Sequence, residues 1–381
     1  MIFDTFTIVC CSLVALFILL LAWLFNPFRR RIFNAEANED ATDNPPLSLV
    51  IITQGNAQAL EENLPLWLTQ RYNADLQLIV VTDEGDHYAD DVLKRIATTH
   101  DIHRTFVPQT SRYMSRTKLA VTLGVKAARH QMVMLVNADC CPASDLTLAL
   151  LVQANDPSSC TMVMPLSHYQ EPCKGFYQFE HLHRSLYYMH SAVSGAAYGS
   201  NSNSLLFCKD MFMQGQGFLG SLHLIGGEYE ILTNRYATRE ETSVFVNPKA
   251  QLILQTPSRH IWRNRAVAAW EIRRHLKHGF ITRLTYITDQ IVLHLSYIVL
   301  IGLAVVSGIT QHWISLGVAA FLFLCLLFTR IIQARKVIRQ LDIKINTFLI
   351  PIYELRIIWH NAMTALLHKF TDKIEFTCHK L

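Results

Sequence analysis

Charged side chains are scarce in this chain, and this scarcity limits the classes of function open to it. Only 17% of the 381 residues are Asp, Glu, Lys or Arg, whereas 51% are hydrophobic. The mean hydropathy of +0.20 excludes intrinsic disorder and is high for a protein that lies wholly in water. The formal net charge of +4 is too small for the field of a nucleic-acid-binding protein, so we expect no nucleic-acid partner.

Paired cysteine spacings are also missing from the sequence. The nine cysteines are scattered, none forms a Cys-x-x-Cys pair, and their number is odd. Neither a disulfide framework nor a structural zinc site is therefore indicated. We expect these cysteines to be small buried hydrophobic residues, kept reduced in a cytosolic compartment.

Long apolar runs are present near both ends of the chain. Phe6 to Phe25 contains twenty residues without a charge. At about 1.5 Å per residue this length matches a hydrocarbon core of about 30 Å. Ile291 to Ile309 and Trp313 to Phe328 are two further runs, separated by three residues. The sequence therefore predicts three transmembrane helices, an N-terminal anchor followed much later by a hairpin.

Basic residues flank these runs on one side of the predicted membrane. Arg29 to Arg31 follow the first run, and basic clusters lie before and after the hairpin but not in its turn. The positive-inside rule places the turn outside and the rest of the chain in the cytoplasm. Asp4 precedes the first run, where a cleaved signal peptide would be basic, so we expect the anchor to be retained. The prediction is a multi-pass protein of the inner (cytoplasmic) membrane.

Composition divides the chain into five parts. An anchor (1–28) and a basic, polar linker (29–46) precede a large domain (47–280), which is followed by the transmembrane hairpin (281–329) and amphipathic segments (330–381). Two alternatives are open for these last segments, cytoplasmic interfacial helices or helices that pack on the neighbouring domain. We expect Pro351 to interrupt the second of them.

Strands and helices alternate in the first half of the large domain. Buried strands are predicted at Leu47 to Thr53, Leu76 to Thr82, Ile102 to Val107 and Met132 to Val136. Amphipathic helices are predicted between them at Ala59 to Gln70, Asp90 to Thr99 and Lys118 to Arg129. This alternation predicts an α/β fold with a mostly parallel sheet covered on both faces. Ligands of such sheets bind beyond the carboxyl ends of the strands.

Three motifs in a fixed order carry a resemblance to a known family. The first runs from PPLSLVIITQGN to VVTDEGD, the second is TKLAVTLGVKAARHQMVMLVNADCCPAS, and the third is GFLGSLHLIGGEYEILTNRYATREETSV. Over roughly residues 46–279 the chain resembles membrane-anchored bacterial members of glycosyltransferase family 2, which have the GT-A fold. The resemblance implies inverting transfer of a sugar from a nucleotide-diphosphate donor, with uridine diphosphate as the leaving group. It also implies a glycan or lipid-linked acceptor near the membrane, as in polysaccharide biosynthesis.

The resemblance further implies a donor site with a divalent cation, Mn²⁺ or Mg²⁺, which balances the charge of the leaving diphosphate. Asp139 matches the metal-binding acid of the family's Asp-x-Asp turn. Asn137 replaces the first acid of that turn and is a donor-binding candidate, because its amide oxygen can accept a hydrogen bond from the ribose or bind the metal weakly. Asp83 matches an acid that accepts a hydrogen bond from the nucleotide. Gln54 and Lys118 match residues that contact the nucleotide or its phosphates. For Lys118 the alternative is a solvated helix N-terminus.

The acceptor side of the site follows Gly227. In the family the catalytic base is the second residue of an acidic pair after this glycine, and Tyr229 stands at that position. A tyrosine with a pKa of about 10 is a poor base near neutral pH, so Glu228 and Glu230 are the candidates for the base and Glu228 is favoured. Tyr229 then becomes a candidate for acceptor contact. Trp262 resembles an aromatic residue that stacks on sugar, with a core tryptophan as the alternative.

Three acids of the family pattern are replaced in this chain, at Thr82, Asn137 and Tyr229. Their loss motivates a second hypothesis from a different functional class. In this alternative the chain is a degenerate glycosyltransferase fold that acts as a membrane scaffold or regulator of glycan assembly.

Overall fold

The computed structural model of the protein describes residue 13, residues 16–17, 19–29, 44–97, 100–109, 114–154, 162–195 and 197–372, and residue 376. These residues belong to two compact units. The first unit contains the described residues up to 29 together with Gly175–Tyr187 and Phe280–Asn361, and the second unit contains the others. The domain boundaries given by the sequence stay a prediction.

A seven-stranded sheet forms the centre of the second unit. Its strands are β1 (Leu47–Ile52), β2 (Leu76–Asp83), β3 (Ile102–Val107), β4 (Met132–Asn137), β6 (Met162–Pro165), β8 (Ser204–Cys208) and β9 (Thr242–Phe245). Their order is β3-β2-β1-β4-β8-β6-β9. Strands β1 to β4 pair in parallel, and only the pairings of β8 with β4 and β6 are antiparallel among the described strands of this sheet. The predicted α/β fold with a mostly parallel sheet is confirmed.

A second, three-stranded sheet consists of β5 (Cys140–Pro142), β7 (Ser167–Tyr169) and β10 (Leu252–Leu254), with β10 in the middle. The helices of the second unit are α1 (Ala57–Leu68), α2 (His87–Ala97), α3 (Arg116–Ala127), α4 (Thr147–Gln153), α6 (Lys209–Gln214), α7 (Glu228–Tyr236) and α8 (Arg259–Arg274). Helix α5 (Gly175–Val193) begins in the first unit and ends in the second.

The three helices predicted between the first strands are present, and each begins two or three residues earlier than expected. Polar side chains before the apolar positions explain the difference. Asn56 accepts a hydrogen bond from the Ala59 backbone N–H, and Ser115 accepts one from the Lys118 N–H. Because such caps satisfy N–H groups that have no helical partner, the helix begins directly after the cap.

Helix α3 packs closely against strand β1 of the sheet. Gly124 of α3 faces β1, and a Cβ on it would lie 2.3 Å from Cγ1 of Val50. Any side chain at position 124 would therefore push the helix off the sheet. Val121 and Val125, from neighbouring turns of α3, are fully buried in the same core.

The first unit contains the helices α9 (Phe280–Ile309), α10 (Trp313–Gln340) and the start of α11 (Ile350–Phe370). Helices α9 and α10 are long and apolar enough to cross a membrane. They are the two such helices among the described residues, whereas three were predicted. Half of the predicted anchor Phe6 to Phe25 lies outside those residues.

Two details of the C-terminal prediction are wrong. The segment RIIQARKVIRQL is not a separate amphipathic helix but the last part of α10. The chain has no glycine or proline between Gly317 and Pro351, and Ala334 and Ile338 continue the buried face of the helix. Pro351 does not interrupt α11 because it is the second residue of that helix. The first N–H groups of a helix have no partner, so proline is tolerated there.

A buried ionic cluster connects the helices of the first unit. Arg330 Nη1 lies 3.2 Å from Asp289 Oδ1, and Arg330 Nη2 lies 2.8 Å from Glu354 Oε1. Arg330 also donates to the Ala22 carbonyl at 2.9 Å, and the Tyr187 hydroxyl donates to Asp289 at 3.1 Å. The three charged side chains are at most 1% exposed. The cluster therefore joins α5, α9, α10 and α11 through a single guanidinium.

One expectation about the cysteines needs correction. Cys140, Cys141, Cys173 and Cys325 are free thiols, as expected, but Cys208 at the end of β8 is disulfide-bonded. The expectation that the cysteines stay reduced is therefore wrong for Cys208.

Candidate functional site

The turn that carries Asp139 is held in place by backbone and side-chain hydrogen bonds from several elements. Asn63 and Trp67 of α1 donate to the carbonyls of Ala138 and Cys140, at 2.8 and 3.0 Å. The Ala138 N–H donates to Ile52 at the end of β1, and the Asp139 carbonyl accepts from the Gln255 N–H. Asp139 is thus fixed at the carboxyl edge of the sheet before any ligand binds.

The two carboxylate oxygens of Asp139 have different surroundings. Oδ2 lies 3.0 Å from Nη2 of Arg265, which comes from α8. Oδ1 is buried and has no hydrogen-bond partner among the described residues. The side chain is 13% exposed. One oxygen is therefore neutralised by a cation, while the other is available to a ligand.

The first turn of α3 sends three consecutive side chains to three different segments. Arg116 donates twice to Asp83 Oδ1 at the end of β2, at 2.7 and 3.2 Å. The Thr117 hydroxyl donates to Gln54 Oε1 after β1, at 2.6 Å. The Gln54 amide nitrogen is buried without a hydrogen-bond partner among the described residues. Gln54 and Asp83, both predicted donor contacts, are therefore joined through α3.

Lys118, the third of these residues, is fully buried. Its Nζ donates to the carbonyls of Leu224 and Gly226, at 2.5 and 2.9 Å. The alternative of a solvated helix N-terminus is thus wrong. Through these bonds the ammonium holds the loop that leads into α7, in which Gly226 and Gly227 have positive φ angles of 80° and 74°. The Lys118 charge also lies close enough to Glu228 to stabilise its carboxylate.

Glu228 is the first residue of α7 and is buried, with 7% of its surface exposed. Burial raises the pKa of its carboxyl above the ordinary value, although the Lys118 ammonium and its own backbone N–H oppose the shift. Oε1 has no hydrogen-bond partner among the described residues. A buried carboxylate with a raised pKa and a free oxygen is suited to accept a proton.

The Tyr229 hydroxyl donates a hydrogen bond of 2.6 Å to Asn137 Oδ1. This bond links the first turn of α7 to the end of β4. Burial, followed by the charges of Glu228 and Asp139, raises the pKa of Tyr229 well above its ordinary value. The hydroxyl therefore stays protonated and acts as a donor, not as a base.

Glu230 and Trp262 occupy the outer parts of this region. Successive helix positions turn by about 100°, so Glu230 points to the opposite side of α7 from Glu228. A Cβ on Gly199 would lie 3.3 Å from Glu230 Cγ, which shows that this side chain packs over Gly199. Trp262 is half-buried in the first turns of α8, three residues before Arg265 and on the same face.

The site offers a divalent cation one unpartnered carboxylate oxygen. Asp139 Oδ1 is an orphaned buried oxygen, and Mg²⁺ and similar cations are often held by one or two carboxylates together with substrate phosphates. The described residues contain no cluster of three Asp, Glu, His or Cys side chains that could hold a metal without substrate. Burial raises the pKa of the neighbouring Cys140 thiol well above its ordinary value. Any cation here would be bound jointly by Asp139 and the ligand.

The structure adds three residues that the sequence prediction missed, namely Arg116, Thr117 and Arg265. Arg116 and Thr117 precede the predicted Lys118 directly, but only the cap at Ser115 assigns them to the helix turn that faces the strand ends. In the stretch PSRHIWRNR, Arg265 comes three residues after Trp262. Because residues at this spacing share a helix face, the sequence could have indicated Arg265.

Comparison with known proteins gives a fold but no family. No protein-family model matches the chain, and no curated protein matches its sequence. The structure is similar to that of a mannosyltransferase from Pyrobaculum calidifontis, solved in complex with GDP-Man and Mn²⁺, with a TM-score of 0.52 and 16% sequence identity. The similarity covers 83% of this chain and 95% of the mannosyltransferase. The chain therefore shares the fold of this glycosyltransferase, while membership of family 2 stays a prediction.

Proposed function

We propose that the protein is a membrane-bound glycosyltransferase that moves a sugar from a nucleotide-diphosphate donor to a membrane-proximal glycan or lipid-linked acceptor. One observation carries the proposal. Gln54 Nε2 and Asp139 Oδ1, which follow the parallel strands β1 and β4, and Glu228 Oε1, at the start of α7, are buried and without a hydrogen-bond partner among the described residues. An unsatisfied buried polar group costs about 1–3 kcal/mol, so these atoms favour a ligand that pairs with them.

Donor binding is assigned to the side chains at the strand ends. Gln54 and the second oxygen of Asp83 bind the nucleotide, while Asp139 Oδ1 would hold a divalent cation together with the bound donor. When bound, that cation offsets the negative charge that develops on the leaving diphosphate. Arg265, on the other oxygen of Asp139, adds a second positive charge at the same place.

Acceptor activation is assigned to Glu228. Its free oxygen takes the proton of the acceptor hydroxyl as that hydroxyl attacks the anomeric carbon, and the diphosphate leaves from the opposite face with inversion. Lys118 positions the glycine turn that orients this carboxylate. Trp262 supplies an aromatic face for the acceptor sugar, and Tyr229 keeps Asn137 oriented toward the donor.

Membrane placement is assigned to the hairpin of α9 and α10, with the large domain in the cytoplasm, where nucleotide sugars are made. The Cys208 disulfide is the one observation that opposes this orientation, because disulfides persist mainly in oxidising compartments.

A thermal-shift screen of the detergent-solubilised protein tests the function. We expect one class of nucleotide sugar, uridine- or guanosine-based, to raise the melting temperature when Mn²⁺ or Mg²⁺ is present. A donor at 100 times its Kd stabilises the folded state by about 2.7 kcal/mol. Asp139→Ala should abolish the metal-dependent part of the shift, and Asn137→Asp should tighten metal binding by adding a carboxylate.

Asp145→Ala is the matched control for this screen. Asp145 follows in the same loop region, but its side chain is 47% exposed and pairs with Arg71. It should bind donor and metal as the parent does. Equal donor and metal binding by Asp139→Ala and the parent would show that the cation site is wrongly assigned.

The Tyr229–Asn137 hydrogen bond also favours a second candidate, the degenerate scaffold. This bond occupies the amide oxygen that would otherwise be available at the cation site, and it needs no metal to be stable. A flat thermal response to every donor would support the scaffold. Turnover that is absent in the parent and appears in Tyr229→Asp would support it as well.

A further inference from the structure

Exposed cations cluster where α10 ends, in the first unit. Asn26 Nδ2 donates to Gln333 Oε1 at 2.5 Å and so places the turn after Asn26 beside this end of α10. The exposed cations there, which we call the basic collar, are Arg29, Arg335, Lys336, Arg339 and Lys344. Among described residues 19–29 and 330–361, Asp342 is the only exposed acid. The collar residues form no ion pair with the described residues, so their charge is available to a partner.

Helix length places the collar at the depth of lipid headgroups. About twenty residues of helix cross a hydrocarbon core of about 30 Å, so a span that begins at Trp313 ends near Ile332. Arg335 and Arg339 then lie about 5 and 10 Å beyond the hydrocarbon. The headgroup layer is about 5–8 Å thick on each side of the membrane. The cations therefore reach the layer that contains the lipid phosphates.

Exposed apolar side chains lie beside the collar. Phe348 is 75% exposed and Ile352 is 59% exposed, although their neighbour Ile350 is fully buried. The ion pair of Glu354 with Arg330 ties the start of α11 to α10 just before the collar begins. Two apolar side chains are thus held next to cations, the combination with which a protein surface enters a membrane interface.

An aromatic residue completes the surface. The Arg29 guanidinium lies 3.6 Å from the ring centroid of Trp23, which is 37% exposed. Tryptophan is enriched at membrane interfaces, where its ring lies among the headgroups. This pair therefore belongs at the same depth as the other collar cations.

We propose that the basic collar is a binding surface for anionic phospholipid. Its guanidinium and ammonium groups contact the lipid phosphates, while Phe348 and Ile352 insert among the first methylene groups of the acyl chains. Clusters of four to eight cations directly beyond a membrane span are typical of such recognition. The inference rests on the proposed membrane placement and is independent of the proposed transfer reaction.

Lipid retention by the full-length protein tests the inference. The protein is purified in neutral detergent, mixed with micelles that contain phosphatidylglycerol or phosphatidylcholine, and passed through gel filtration, and bound phosphorus is measured over a range of lipid concentrations. We expect preferential retention of phosphatidylglycerol that decreases with salt. Lys336→Gln with Lys344→Gln should weaken retention about 30-fold, taking about 1 kcal/mol for each cation near the lipid surface.

Lys94→Gln with Lys126→Gln is the matched control, because it removes two exposed lysines from the second unit. It should retain phosphatidylglycerol as the parent does. All variants should melt at the parent's temperature in phosphatidylcholine micelles, which excludes misfolding. Equal retention of the two lipids, or equal losses in the two double variants, would overturn the proposal and leave an acidic protein partner as the explanation for the collar. Extraction of the parent from membranes by alkaline carbonate would instead contradict the membrane placement.

Discussion

The proposed role of Glu228 as the base shows how burial of a single side chain affects its chemistry. Because burial raises the pKa of its carboxyl above 4.5, its charged form is lost at a higher pH than for an exposed glutamate. A base must be charged to accept a proton. We therefore expect turnover to fall as the pH decreases through a pKa above 4.5, measured as the acid limb of the kcat/KM profile. Glu228→Gln should lower turnover by about 10²- to 10⁴-fold with donor affinity kept.

Glu230→Gln is the control for this prediction, because Glu230 lies on the opposite side of α7 and packs over Gly199. It should keep most of the turnover and the acid limb of the pH profile.

The stability of the Glu228 variant gives a second measurement. A folded-state pKa above the unfolded value stabilises the protein at low pH and loses this contribution as the pH rises through it. Ligand-free Glu228→Gln should therefore melt no lower than the parent at pH 7. Full turnover in Glu228→Gln would place the base elsewhere.

Residues within motifs were predictable from the sequence, but their partners were not. Asp139 and Glu228 follow a strand end and a glycine turn, two features that local sequence shows. The Lys118 ammonium, in contrast, binds carbonyls 106 and 108 residues away along the chain. Arg265 reaches Asp139 across 126 residues. Such pairings depend on how helices pack on the sheet, which no local pattern encodes.

At the scale of elements, the turn before α7 depends on a close approach to α8. A Cβ on Gly227 would lie 2.7 Å from Ile272 Cγ2, and its φ is +74°. Gly227→Ala should thus combine a left-handed backbone cost of about 1–2 kcal/mol with an overlap cost of about 1–3 kcal/mol. We expect a lower melting temperature and reduced turnover, since Glu228 is the next residue.

Gly220→Ala separates the two contributions. Gly220 has a φ of +84°, but no atom lies within 4 Å of an added Cβ, so this variant should show the backbone cost alone. Ile272→Ala in the Gly227→Ala background should relieve the overlap and recover part of the turnover. Equal destabilisation by the two glycine variants would show that contact with Ile272 does not constrain the turn.

The Arg330 cluster makes a prediction about how α9, α10 and α11 are held together. Arg330→Gln leaves Asp289 and Glu354 buried without a cation, and loss of one partner of a buried pair costs about 3–5 kcal/mol. Glu354→Gln removes one carboxylate but leaves the Arg330 guanidinium paired with Asp289, so no buried charge is left without a partner. We expect a much larger fall in melting temperature for Arg330→Gln than for Glu354→Gln. Similar falls in both variants would mean that packing, not charge balance, holds these helices.

The bounds of strands and helices show which features the sequence patterns predict and which they miss. Strand β3 occupies the predicted residues Ile102–Val107, because this half-polar segment pairs in parallel with β2 at the edge of the sheet, where only part of each strand is buried. Helix α10 extends twelve residues past Phe328, because mixed polarity does not end a helix in which no glycine or proline follows Phe328. The sequence changes from apolar to mixed polarity at Arg330, but the helical hydrogen bonds continue to Gln340.

At the scale of the whole molecule, the orientation in the membrane determines whether the large domain meets nucleotide sugars. By the positive-inside rule, the charges around the hairpin predict that both of its ends lie in the cytoplasm and its turn outside. We expect a fluorescent protein fused after Leu381 to fluoresce and alkaline phosphatase at the same point to be inactive. Fusions at Gln311, in the turn, should give the opposite result. Active phosphatase after Leu381 would reverse the orientation, place the Cys208 disulfide in an oxidising compartment and remove the domain from cytosolic donors.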